Sequence, residues 1–219
     1  MSSLPLKWNF VFVVILMCSA PAWAADQVVI ADFSSAVDAS SVPAGWQVKE
    51  KSGKAAFAVV KDDGVAAVRL RSANTSFSLQ KEVLVNLQQY PVLTWKWKVT
   101  KLPVGADFRK SDTDDQAAQL FLAFSKTRAI VYIWDTTAPE GTMGNAAGPF
   151  FMSIKSVVVR SGKNGTGSWL TESRNVYDDY RKLFGEEPGD IRGVRMQINS
   201  QHTGTSAESF FADVVFKKQ

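Results

Sequence analysis

The chain has 219 residues, 46% of them hydrophobic and 21% charged, with a net charge of +4, one histidine and one cysteine. One cysteine excludes an internal disulfide, and one histidine excludes a histidine-rich metal centre. The positive charge lies in no long basic run, so the electrostatic footprint of a nucleic-acid binder is absent.

Residues 1–24 read as an export signal. Lys7 supplies the positive start, residues 10–17 the apolar middle and Ala22-Trp23-Ala24 the small-residue cleavage pattern. The apolar run is too short to span a bilayer. The expectation is therefore a periplasmic or secreted protein, residues 25–219 forming one β-sandwich domain with no stable membrane span after cleavage. Cys18 leaves with the signal; a lipidated Cys18 is the alternative, but Met17 stands where such signals want a small residue.

Residues 28–33 form a first strand, followed by Gly45-Trp46-Gln47-Val48. Short extended runs follow at 56–60, 66–71 and 76–83, separated by Asp62-Asp63-Gly64 and Ser72-Ala73-Asn74, both turn chemistry. In residues 93–99, Leu93, Trp95, Trp97 and Val99 share one face, Thr94, Lys96 and Lys98 the other, which predicts one dry and one wet side. Residues 116–124 are apolar on both alternating sets, so a strand there is covered on both faces. Residues 130–134 are β-branched or aromatic almost throughout, and Ser125-Lys126-Thr127-Arg128 joins the two as a hairpin. Further strands fall at 154–160, 194–199 and 210–216. One helix interrupts them: Asn175 caps it, Val176, Tyr180, Leu183 and Phe184 lie on one stripe, and Gly185 stops it.

Two regions depart from a plain sandwich. The connection 136–150 exceeds ordinary loop length, and loops of that kind are functional or disordered; it follows Asp135 and carries Glu140. In the strand at 194–199 and its continuation, Arg195, Gln197, Asn199 and Gln201 project to one face as a row of forked hydrogen-bonding groups. Such a row matches the hydroxyl-rich edge of a sugar, or an ordinary solvated sheet face. Arg109, Arg160 and Arg174 either clamp a carboxylate or uronic acid or neutralise nearby aspartates.

The runs DDQAAQLFLAF, YIWDTTAPEGT, VVVRSG, RNVYDDYRKLFGEEP and QINSQHTGTSAESFFADVVF resemble those of the bacterial secreted family catalogued as domain of unknown function 3047, a label that implies no established activity. The opening ADF with its following Gly-Trp, the run QQYPVLTWKWKV and the closing FADVVF resemble the layout of jelly-roll carbohydrate-binding modules. The fold expected is thus all-β: a two-sheet antiparallel jelly-roll-like sandwich with one short helix. The module resemblance also implies a structural calcium between first and last strands, on Asp32 and Asp213. The alternative is two ordinary strand-end carboxylates, since calcium takes six or more oxygens.

No catalytic residue is assigned, because His202 is the only histidine and no Gly-x-Ser-x-Gly elbow occurs. The function expected is non-catalytic binding of a glycan or glycan-like envelope ligand. Its contacts would be Arg195, Gln197, Asn199, Gln201, His202, Asp115, Asp135, Glu140, Arg160, Trp169 and Glu208, with Trp134 and Trp169 either as stacking platforms or as core, the core reading being favoured for Trp134 because it continues a buried strand. Two alternatives stay open. One is a polysaccharide hydrolase or lyase using His202 or a carboxylate among Asp135, Glu140 and Glu208. The other is an envelope assembly protein whose protein partner docks around residues 136–150.

Overall fold

The computed structural model describes residues 26–36, 42–146 and 151–219; the segment expected to be an export signal, residues 1–24 with Cys18, lies outside them. In chain order the elements are β1 (Gln27–Ala31), β2 (Gln47–Ser52), β3 (Ala56–Asp62), β4 (Val65–Ala73), β5 (Ser76–Val85), β6 (Val92–Lys101), β7 (Ala118–Ala123), β8 (Arg128–Asp135), β9 (Met143–Asn145), β10 (Ser153–Ser161), β11 (Leu170–Asn175), α1 (Val176–Phe184), β12 (Ile191–Asn199) and β13 (Ser206–Lys217).

They form two sheets. One runs β11-β6-β13-β4-β3, with β1 beside the far end of β13; the other runs β2-β5-β12-β7-β8-β10-β9. This is the expected all-β, jelly-roll-like sandwich with one helix. The β8–β10 pair is parallel, against the antiparallel pairing elsewhere. A parallel pair needs a long crossover. Much of the connection from 136 to 152 is that crossover, and its short strand β9 adds to the free edge of β10.

Between the sheets lies an aromatic core built on β6. Trp95 stacks on Tyr132 with ring centres 5.3 Å apart, and Trp97 meets Trp134 at 5.8 Å and Phe211 at 6.3 Å. Trp134 is fully buried and its Nε1 donates to the Gly162 carbonyl, so it is core and not a sugar platform. The opposite face of β6 is wet only in part: Lys98 is buried, its ammonium held by Asp62 at 2.6 Å and Asp63 at 2.8 Å.

Two polar networks tie β11 and α1 to the seven-stranded sheet. Glu172 accepts from Trp97 Nε1 at 3.0 Å and from Arg160 Nε and Nη2 at 2.7 and 3.0 Å. Asp179 accepts from the Tyr132 hydroxyl at 2.7 Å and from both Arg174 Nε and Nη2. The helix begins as expected, with Asn175 Oδ1 accepting from the Asp178 amide, and ends at Gly185 with φ of 74°, a left-handed position that glycine adopts without strain. Tyr180 and Phe184 pack at the end of the sandwich where Phe124 leaves β7.

The seven-stranded sheet also carries apolar residues on its outer face. Phe121, Val131, Ile133, Ile154 and Val158 form a second cluster there, with Phe108 and Ala138 from the neighbouring loops. This is why β7 reads as covered on both sides. The covering is incomplete, and the uncovered part is the site.

Candidate functional site

Strand β12 alternates strictly. Val194, Met196 and Ile198 face the core, which puts Arg195, Gln197 and Asn199 on the outer face of the seven-stranded sheet. Register supplies their neighbours: Arg195 lies opposite Phe121 on β7 and Gln80 on β5, Gln197 opposite Gln119 and Ser78, and Asn199 opposite Ser76.

Three adjoining depressions, all lined by Arg195, form a groove over this face. The first, about 610 Å³, lies between the ends of β5 and β7 and includes Phe121, Phe124, Lys126 and Gly193. The second, about 300 Å³, runs over Gln119, Gln197 and Asn199 to His202, with Val131, Ile154 and Met152 as its apolar wall. The third, about 270 Å³, extends sideways over Lys49, Lys51, Ser76 and Ser78. From Gly193 to Asn199 the floor spans roughly 20 Å at the rise of a strand.

Along this floor the side-chain amides form a directed chain. Asn199 Nδ2 donates to the Asp114 carbonyl at 2.8 Å, while its Oδ1 accepts from the Gln116 amide and from Gln119 Nε2. Gln119 therefore turns its Oε1 to Gln197 Nε2, at 3.2 Å. Gln197 in turn presents its Oε1 to Arg195 Nη1, at 3.5 Å. The orientation of every amide follows from the fixed backbone groups at the Asn199 end. The guanidinium of Arg195 lies over the Phe121 ring, 4.4 Å from its centre, and burial lowers its pKa. A guanidinium nevertheless stays charged at neutral pH.

His202 closes one end of the groove. Its Nδ1 is 2.9 Å from the Asp114 carbonyl oxygen and 3.7 Å from Asp115 Oδ1. Asp115 is fully buried; its Oδ2 accepts from the Thr203 amide and hydroxyl, and its Oδ1 has no hydrogen-bond partner among the described residues. Gln201 sits beside the His202 ring and does not line the three depressions.

Arg195, Gln197, Asn199 and His202 thus come together, with Asp115 behind. Asn199 is buried and satisfied by protein groups, so it positions the row and is not a free ligand contact. Asp135 is also buried: its two oxygens accept from the amides of Phe108, Thr137 and Ala138, which fixes the loops at that end. Burial raises the Asp135 pKa against the opposing pull of those N–H groups. Arg160 is taken up by Glu172, and Glu140 is exposed on the loop after β8, away from the groove.

Trp169 and Glu208 lie on the other sheet. Trp169 packs on Phe210 and donates to Asp62; Glu208 is held by Arg71 and Thr100, each at 2.6 Å. Alternation along β13, with Ala207 and Phe211 inward, sends residue 208 to the outer surface of the six-stranded sheet. Asp32 and Asp213 do occupy adjoining positions, one residue past the Ala31–Val214 pair. Asp32 accepts from the Ser34 amide and Asp213 meets Lys96 at 2.9 Å. Among the described residues no group of three or more His, Cys, Asp or Glu side chains could hold a metal ion.

Sequence patterning does not single out Gln119, Phe121, Gln80 and Ser78, all of which belong to the groove. Gln119 carries a signal, being the one amide within β7. The others require strand register.

A family model described as "Protein of unknown function (DUF3047)" matches residues 44–215. No curated protein matches. Among solved structures, the family 11 carbohydrate-binding module of cellulosomal cellulase Lic26A-Cel5E of Clostridium thermocellum is 8% identical with a TM-score of 0.48, covering 90% of this chain and 97% of that one. The family 30 carbohydrate-binding module of Clostridium thermocellum cellulase Cel9D-Cel44B is 11% identical with a TM-score of 0.49, covering 88% and 98%. The xyloglucanase domain of NopAA, a type three effector from Sinorhizobium fredii, is 8% identical with a TM-score of 0.48, covering 80% and 94%.

Proposed function

The chain belongs to the DUF3047 family of proteins of unknown function, so its role has to come from its own groove, and we propose that it binds a glycan or glycan-like envelope ligand without catalysis. The observation that carries this reading is the amide chain on the groove floor. Gln197 and Gln119 are held at fixed orientation beside an apolar wall of Val131, Ile154 and Met152. A sugar ring has both kinds of surface, hydroxyl edges for the amides and C–H faces for the wall. An open groove rather than an enclosed cavity suits a chain that continues past both ends.

Calorimetric titration of the purified protein with a panel of envelope oligosaccharides tests this. At least one binds, no product forms, and Gln197→Ala weakens it about tenfold, the effect of losing one or two hydrogen bonds in a desolvated site. Unchanged affinity in Gln197→Ala would place the ligand elsewhere. Export is part of the same proposal: removal of residues 1–24 leaves one domain, 25–219, in the periplasm or outside the cell. Fractionation with N-terminal sequencing checks it, the expected first residue being Ala25; an intact Met1 in the cytoplasm would overturn it.

The enzyme reading keeps one specific support, the placement of His202 at the groove end with a buried carboxylate behind it. Of its other candidate groups, Asp135 accepts from backbone amides, Glu140 is exposed on the loop after β8, and Glu208 lies on the opposite sheet. Turnover of a bound oligosaccharide that disappears in His202→Ala while binding persists would favour it over simple binding.

A further inference from the structure

Arg109, Arg160 and Arg174 are each gripped through two nitrogens by a carboxylate: Asp107, Glu172 and Asp179. Arg195 differs. It is half-buried, no carboxylate among the described residues lies within ion-pair distance, and its Nε is closed to solvent with no hydrogen-bond partner. A guanidinium carries five N–H donors. The one acceptor it reaches among the described residues is Gln197 Oε1, at a long 3.5 Å. That amide cannot give more, because the chain through Gln119 to Asn199 fixes which way it points. Leaving a charge desolvated and unpaired is costly, and the cost is relieved when an oxyanion arrives.

We propose that the glycan is acidic, carrying an oxyanion such as a uronate carboxylate or a phosphate ester, and that Arg195 is the residue that recognises it. This rests on the groove being the glycan site. Phe121 holds the guanidinium plane from below and Gln197 from one side, so the cation is presented in a set orientation. The rest of the groove agrees in sign. Lys49, Lys51, Lys126 and Arg192 join Arg195 along it, against three carboxylates; the Lys81 ammonium is turned to the core side, where it donates to the Ile30 carbonyl. Lysines at the rim attract an anionic chain from a distance, and Arg195 alone is buried enough to discriminate its substituents.

The test compares ligands that differ in charge alone. The protein is titrated calorimetrically with a galacturonate tetrasaccharide, its methyl ester, and a tetrasaccharide of neutral sugars with and without a phosphate ester. The expected result is that at least one acidic ligand binds about 30-fold or more tightly than its uncharged counterpart, the scale of a desolvated charge pair. Arg195→Met, whose apolar chain keeps the contact with Phe121, removes that difference. Arg195→Lys retains part of it, and melting curves establish that both variants are folded. The two acidic arms separate carboxylate from phosphate as the recognised group. Equal binding of charged and uncharged ligands, or a preference that survives Arg195→Met, overturns the inference while the groove reading stands. Binding of no oligosaccharide at all overturns the groove reading itself.

Discussion

Asp107 and Asp135 lie side by side at the end of the sandwich and are perturbed in opposite directions. The Arg109 side chain grips Asp107 at 2.7 Å through each oxygen and, with the Arg109 amide, lowers its pKa from 3.8 to about 2. A carboxylate with a depressed folded pKa contributes stability that is present above its unfolded value and lost as pH falls through the folded one. For Asp107 that window runs from about pH 4 down to about pH 2. Asp135 has the other sign: its raised pKa means that ionisation costs stability as pH climbs above 3.8. Acid loss in this corner therefore belongs to Asp107. Because the Arg109 side chain is 47% exposed, the contribution is about 1 kcal/mol after solvent screening. Urea unfolding at pH 4 and pH 2 checks this, with wild type losing about 1 kcal/mol more than Asp107→Asn over that interval. Equal losses would mean that the Arg109 contact does not persist in solution.

Elements whose own side chains alternate or cap are legible in the sequence: β6, with its tryptophans and lysines, and α1, with Asn175 and Gly185 at its ends. Elements defined by a neighbour are not. Strand β11 reads LTESRN and has a single apolar residue; it is a strand because it hydrogen-bonds along β6, and its buried Glu172 is offset by bonds from Trp97 and Arg160. Strand β9 has three residues and exists only on the edge of β10. The same limit governs the site. Alternation along β12 identifies Arg195 and Gln197 correctly as outward-facing, but an arginine's partner lies across a sheet or between sheets. Four arginines that look equivalent in sequence separate into three with carboxylates and one without, among the described residues, only when the strands are placed. Glu208 and Trp169 fail as site residues for a related reason: alternation gives inside or outside, whereas the choice between two outer faces depends on which sheet a strand joins.

At the scale of the molecule, the groove and the inter-sheet networks occupy different sides of the seven-stranded sheet, so stability and binding separate. Glu172 is the informative residue. It is buried, it satisfies the indole N–H of Trp97, and it pairs with Arg160 across the edge of the sandwich. Glu172→Ala strands a buried donor and leaves Arg160 unpaired, a loss of about 3 kcal/mol, at the lower end for a broken buried pair because Arg160 is 32% exposed. In a domain of this size that lowers the melting temperature by roughly 6–12 °C. Glu172→Gln keeps an acceptor for the indole and for one guanidinium N–H, so its loss is the smaller of the two. Well below either melting point, oligosaccharide affinity stays within about twofold of wild type, because distant sites without shared partners act independently. Calorimetric titration beside thermal melts measures both quantities on the same samples. Strand β10 is where the prediction is most exposed, since it carries Arg160 in the network and Ile154 and Ser156 in the groove wall. A fall in affinity that tracked the fall in melting temperature would show that β10 transmits the strain, and that the groove is shaped by the clasp between the sheets.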